Sequence, residues 1–247
     1  VTRRPRPQVV DDLAGRLAAL GWVSDLLVAG SLATGDWTPS VSDLDLVAVT
    51  AGPVGTGREQ TLSAVHRDLD AGSGAGLKLG CVYVDTAALD DPAALHPTWT
   101  HGALVHRILS GVTRAELALH GFAVLGRAPA ALLSPVTPDD VRAAARSELT
   151  GYWALAARHP LWFLDPVLAD LALTSMARGR HSLATGELLT KTLAVEQAHA
   201  PAHLVAALRA RRRGEDVTSP RLRTALVAWR DVRRTVAAAR RPAPASP

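Results

Sequence analysis

The hydrophobic pattern changes character part-way along the chain. Up to about residue 135, short apolar runs alternate with Gly-containing turns; beyond it, alanine, leucine and arginine recur at helical spacing. In the first part the pattern predicts a helix over Val9–Leu20, a strand over Leu26–Ala29, a polar turn over Gly30–Ser42 and a strand over Leu44–Val49. A helix over Glu59–Asp70, a Gly/Ser loop over Ala71–Gly76 and a strand over Leu77–Asp85 follow. A helix over Gly102–His120 and a short strand over Ala123–Leu125 close this part. Thr137-Pro138-Asp139-Asp140 has the form of a helix start: a capping hydroxyl, a proline at the first helical position and acids at the positive end. Helices are then predicted over Asp139–Arg158, Pro166–Thr185, Leu188–Ala198, Pro201–Arg213 and Ser219–Arg240, with a frayed tail over Arg241–Pro247. The fold class read from this order is α/β followed by all-α. The α/β domain spans residues 1–135 and the helical domain residues 136–247.

Composition narrows the classes. With 48% hydrophobic and 20% charged residues over 247 positions, the chain has material for a sizeable core and is not disordered. Cys81 is the single cysteine, so a disulfide framework is excluded. No apolar run is long enough to span a bilayer, and the basic start Val1–Pro7 has no apolar stretch behind it, so a cytoplasmic location is expected. Net charge is +4, and of 27 basic residues only Lys78 and Lys191 are lysines. The arginines crowd the last third, with runs at Arg211–Arg213, Arg233–Arg234 and Arg240–Arg241. Such a face can attract nucleic acid. With only two phenylalanines and two tyrosines to stack on bases, a solvated helix face is the plainer reading, and nucleic acid is not expected as a partner.

The chemistry concentrates in Val28–Val49. An apolar strand ends in Gly30-Ser31, a polar turn with Ala33, Gly35 and Ser42 follows, and Asp43-Leu44-Asp45 opens the next apolar strand. Gly30 lets backbone amides approach an anion, and Ser31 adds a hydroxyl donor where a helix could begin. Asp43 and Asp45, two apart on a strand, point to one face about 7 Å apart. Converging carboxylates suit a hard cation, and Mg²⁺ takes one or two carboxylates together with substrate phosphates. A bare Asp-x-Asp says little, since acids at a strand start are commonly just solvated; it is the whole strand–turn–strand pattern that is specific.

That pattern resembles the nucleotidyltransferase superfamily typified by polymerase beta, with its Gly-Ser turn followed by an Asp-x-Asp pair. An α/β part of this length followed by a helical part resembles, more narrowly, the aminoglycoside adenylyltransferases of the streptomycin/spectinomycin type. Phe122–Gly126 and Leu133–Val136 look like that family's link between domains, and Arg178, Thr185-Gly186 and Lys191 look like its segment of phosphate-binding residues. The resemblance covers roughly residues 20 to 235. It implies a Mg²⁺-dependent enzyme that holds ATP between its two parts and transfers AMP to a hydroxyl of an aminoglycoside-like small molecule, expelling pyrophosphate. By it, Asp43 and Asp45 hold the metal and carry catalysis, Gly30 and Ser31 bind phosphate, and Arg178 and Lys191 bind the nucleotide from the helical part. Trp153, Trp162 and Asp165 fall where the family recognises a cationic sugar, with core packing as the alternative for the tryptophans. A monomer or weak dimer with no membrane association is expected.

One element departs from the family. The resemblance implies a third carboxylate, general base for the attacking hydroxyl and often a metal neighbour, on the next strand, where Lys78 or Gly80 stands according to register. Three readings follow. A base could come from Glu148, Asp165, Asp170 or Glu187; the reaction could proceed without a dedicated base; or the chain could be a relative that binds nucleotide with little transfer. Transfer to a macromolecule is a further alternative, motivated by the basic last third. Asp85 is a poor substitute, being on the opposite strand face from Gly80. His96, His101 and His106 recur every five residues without a matching acid, which reads as core or cap rather than metal site. Trp229 reads as core before adenine platform, and Cys81 as an apolar filler.

Overall fold

In the computed structural model, residues 4–241 are described. Residues 242–247, most of the tail expected to fray, lie outside the described residues, as do residues 1–3. The chain forms two compact units, Val1–Pro135 and Val136–Pro247.

The first unit is built on a six-stranded sheet in the order β5-β4-β3-β2-β1-β6. Its elements are α1 (Gln8–Ala19), β1 (Val23–Val28), a five-residue helix α2 (Gly30–Thr34), β2 (Asp43–Thr50), α3 (Thr56–Ala71) and β3 (Lys78–Asp85). Then come β4 (Leu95–Thr100), β5 (Ala103–Ile108), α4 (Gly111–His120) and β6 (Phe122–Leu125). β2 and β3 pair in parallel, joined through α3; the other neighbours are antiparallel.

Strand alternation sorts the core into two faces. Leu44, Leu46 and Ala48 of β2 join Leu26 and Val28 of β1 and Leu79, Cys81 and Tyr83 of β3 against α1 and α3. Val47, Leu27 and Val84 face the other way, toward Leu117 of α4 and Leu89, Leu109 and Leu133. On the α3 side, His66 is fully buried, stacked on Trp99 at 4.9 Å, with Nε2 2.7 Å from the Tyr83 hydroxyl. Burial pushes its pKa down to about 3, so it is a neutral packing residue. Cys81 is a buried filler whose thiol is pushed up to about 12 by burial.

One expectation is corrected here. The predicted helix over Gly102–His120 is instead strand β5 followed by the shorter α4, and β4 precedes it. His101 and Gly102 both have positive φ, 51° and 74°, and Thr100 pairs with Ala103. This is a two-residue hairpin turn, and pairing with β4 outweighs the local helical pattern. Gly30–Ser42, read as a polar turn in which a helix could begin after Ser31, opens with α2.

The second unit is helical: α5 (Pro138–Thr150), α6 (Tyr152–Ala156), α7 (Pro166–Thr185), α8 (Lys191–Glu196), α9 (Ala202–Arg212) and α10 (Arg221–Ala239). Thr137 and Asp140 form the reciprocal capping box that starts α5. The helix predicted to run on to Arg158 breaks at Gly151, whose amide closes onto Ser147 O. Leu149, Trp153, Phe163, Leu173, Met176, Leu208, Val232 and Val236 make the core. Much of the arginine run is spent on the fold. Arg209 pairs with Glu196, Arg213 with Glu215, and Arg211 grips Asp170 through two bonds of 2.6 and 2.8 Å. Arg180 Nη1 donates to the buried Asp231 and to Thr235, each at 2.8 Å, tying α7 to α10.

In the first unit, Asp25 is 1% exposed and takes Arg127 Nε and Nη2 in a fork, plus the Arg127 amide at 2.6 Å and the Ser24 hydroxyl. Burial alone would raise its pKa, but these donors together hold it below the ordinary value. A depressed carboxylate contributes stability above its unfolded pKa and loses it as pH falls through the folded one. Asp25→Asn should therefore cost about 3 kcal/mol at neutral pH. It should also flatten the acid limb of the stability–pH curve, both read by urea unfolding between pH 3 and 7; an unchanged acid limb would refute the assignment.

Candidate active site

The Gly-Ser turn and the acidic strand start meet because β1 and β2 are antiparallel neighbours. The end of β1 therefore lies beside the beginning of β2, where the Ala29 amide donates to Asp45 O at 2.8 Å. Gly30 then turns with φ +59°, a region open to glycine at little cost. Any side chain at Gly30 would collide with the Asp45 carboxylate, whose Cγ lies 2.9 Å from where a Cβ would be. The carboxylate thus rests on the Gly30 backbone. Ser31 follows, 7% exposed, its hydroxyl buried without a hydrogen-bond partner. A buried hydroxyl left unpaired is costly, which marks it as a group awaiting a partner.

The loop back to β2 is closed tightly. Gly35 ends α2 in the left-handed region, and the Asp36 amide donates to Ser31 O at 2.8 Å. The Thr38 amide donates to Ser42 Oγ at 3.0 Å and the Ser42 amide to Thr38 O at 2.9 Å. Asp43 is exposed and Asp45 half-buried, on the same face of β2. Trp37, which no sequence pattern marked, has its Nε1 buried without a partner. A tryptophan inside an otherwise polar turn was the available signal.

The parallel register decides what stands beside the acids: Lys78 partners Asp43 and Gly80 partners Asp45. Lys78 Nζ donates to Val41 O at 3.0 Å. Asp85 partners Thr50 at the far end of the strand and caps the turn Thr86–Ala88. Two carboxylates, an unpaired buried hydroxyl and a glycine-lined cradle suit a magnesium–triphosphate by donor chemistry: hard oxygen ligands for the ion and a hydroxyl for phosphate.

In the second unit, Arg178 of α7 donates through Nε to Leu189 O at 2.8 Å, two residues before Lys191, which opens α8 after the capping Thr190. The fold thus brings Arg178 and Lys191 to one loop. The aromatic candidates separate. Trp153 is 2% exposed, with Nε1 3.4 Å from Glu148 Oε1, and is a core residue. Trp162 is 41% exposed and stacked on His159 at 4.5 Å. Asp165 caps α7, accepting from the Val167 amide at 2.8 Å. Trp229 donates to Ala157 O at 2.9 Å and carries Arg233 over its ring. Of the candidate bases, Asp170 is committed to Arg211 and Asp165 to its cap, whereas the Glu148 and Glu187 side chains are exposed. His96 is buried in β4, His101 occupies the hairpin turn, and His106 lies 3.1 Å from Glu59.

Residues 10–73 match the family model of the nucleotidyltransferase domain. The matched residues lie within the first unit. The chain as a whole is similar in fold to spectinomycin adenyltransferase AAD(9) from Enterococcus faecialis, solved with ATP and spectinomycin. The TM-score is 0.70 at 15% identity, covering 92% of this chain and 98% of that one. No curated protein sequence matches the chain significantly. Among the described residues no helix is long and apolar enough to cross a membrane.

Gly30→Ala should force both a strained φ and a collision with Asp45. The expected cost is about 2 kcal/mol in urea unfolding, together with loss of nucleotide binding; full retention of both would contradict the cradle.

Proposed function

We propose that the protein is an adenylyltransferase of the aminoglycoside-modifying type, transferring AMP from ATP to a hydroxyl of an aminoglycoside-like small molecule in the cytoplasm. The observation that carries the reading is the Asp45 carboxylate lying on the Gly30 backbone with the unpaired Ser31 hydroxyl next in sequence. The similarity in fold to an adenyltransferase solved with ATP and spectinomycin supports the substrate class.

In this reading Asp43 and Asp45 bind the magnesium ion, and Gly30 and Ser31 receive phosphate oxygens. Magnesium, when bound, neutralises triphosphate charge and orients it for in-line displacement. Arg178 and Lys191 serve as phosphate ligands from the helical unit, and Trp162 and Asp165 as the acceptor-binding pair; Trp153 supports them from the core. The acceptor hydroxyl oxygen bonds to the α-phosphorus as the bond to the bridging oxygen breaks, pyrophosphate leaves with that oxygen, and the hydroxyl proton is released. Positioning and charge neutralisation do most of this work. The enzyme acts as a monomer or weak dimer.

The third strand favours a second reading, a nucleotide-binding relative with little transfer, because Lys78 and Gly80 bring no base. The deciding experiment incubates the full chain with ATP, Mg²⁺ and a panel containing streptomycin and spectinomycin, following pyrophosphate. Turnover supports transfer; nucleotide binding without product across the panel selects the second reading. Asp45→Asn should abolish turnover with the circular dichroism spectrum unchanged. Ser31→Ala should weaken ATP binding about tenfold, the size of one hydrogen bond to a charged group.

A further inference from the structure

We propose that Lys78 replaces a third metal-binding carboxylate, so that the site takes one divalent ion with its nucleotide and the Lys78 ammonium supplies the second positive charge. This rests on the reading of Asp43 and Asp45 as the metal clamp.

The register is the starting point. Partners on adjacent parallel strands sit about 4.8 Å apart with side chains on the same face. The two β3 positions that could extend the acidic pair sideways are therefore Lys78, beside Asp43, and Gly80, beside Asp45. Gly80 brings no side chain, and an added Cβ there would press on Leu44 O at 3.2 Å. Among the described residues, no three His, Cys, Asp or Glu side chains converge as a metal-binding group. Asp85, the remaining acid of β3, is at the other end of the strand.

Charge then decides the number of ions. Two divalent ions held by three carboxylates leave one net positive charge facing the triphosphate. One divalent ion held by two carboxylates beside an ammonium leaves the same charge. A second ion added to the present set would instead crowd beside a fixed cation of like sign. The residue type also fits. Nearly all basic residues of this chain are arginines, yet this position holds a lysine, whose ammonium is a compact, strongly hydrated point charge and the closer stand-in for an ion. Its bond to Val41 O keeps the ammonium by the loop that leads into Asp43.

The test counts ions rather than turnover. The full chain is titrated with Mn²⁺ in the presence of a non-hydrolysable ATP analogue, and bound Mn²⁺ is read by electron paramagnetic resonance. Wild type is expected to hold one Mn²⁺ per bound analogue. Lys78→Glu, which would complete a three-carboxylate set, is expected to hold two. Lys78→Met, which loses the Val41 contact equally, is expected to stay at one with about tenfold weaker analogue binding. A second tight Mn²⁺ in wild type overturns the inference, and so does a folded Lys78→Glu variant that still holds one. Asp45→Asn separates the two levels. If it binds metal and analogue as wild type does, the clamp reading itself falls. If it loses the metal while wild type holds two ions, the clamp stands and only the role of Lys78 is removed.

Discussion

The Asp45 carboxylate occupies the space that a side chain at Gly30 would need. That one contact sets much of the first unit's site. It requires glycine at the end of β1, and it requires that glycine to turn with positive φ. It holds the start of β2 against the end of β1 through the Ala29–Asp45 backbone bond. It also brings the Ser31 hydroxyl into a buried position with no protein partner. A folded chain tolerates an unpaired buried hydroxyl poorly unless a ligand or water completes it, so the cost of the arrangement points to its use.

Around this contact the fold spends its charges on fixing backbone. Asp25 gathers Arg127 and Ser24 at the end of the sheet remote from Asp45, since Asp25 partners Val49 across β1 and β2. Asp231 receives Arg180 between α7 and α10. Both are buried acids paired with an arginine, the form in which a buried charge is tolerated; Asp25 has both oxygens bonded, whereas Asp231 takes Arg180 on Oδ1 and its buried Oδ2 has no hydrogen-bond partner. The run Arg209–Arg213 differs from them: its ion pairs lead to Glu196, Asp170 and Glu215 within the helical unit, and only the Arg211–Asp170 pair is largely covered. Read as sequence, it is a basic patch; read in the fold, it is a surface run whose charge neighbouring acids partly neutralise.

The parts of the site legible in sequence were those whose chemistry is local. Gly30, Ser31, Asp43 and Asp45 lie within one short strand–turn–strand unit, so residue type and spacing were enough to place them together. The β4–β5 hairpin was not legible. Gly102–His120 carries helix-compatible residues, and only pairing of Ala103–Ile108 with β4 selects strand. Trp153 and Trp162 look equivalent in sequence, yet one is a core residue and the other is open to solvent. Periodicity gives the face of a helix, not what covers it.

By itself the sequence determined the two-part order of α/β and helical segments, the helix start at Thr137, and the pairing of a glycine–serine turn with two acids. These follow from local periodicity, capping and turn chemistry, each set within a few residues. Only the tertiary structure decided that Lys78, not Gly80, stands beside Asp43, and that Asp45 rests on Gly30. Strand register is a contact between segments far apart in sequence, joined here through a long helix. A shift of two residues leaves every side chain on its own face, so the apolar alternation could not have fixed it.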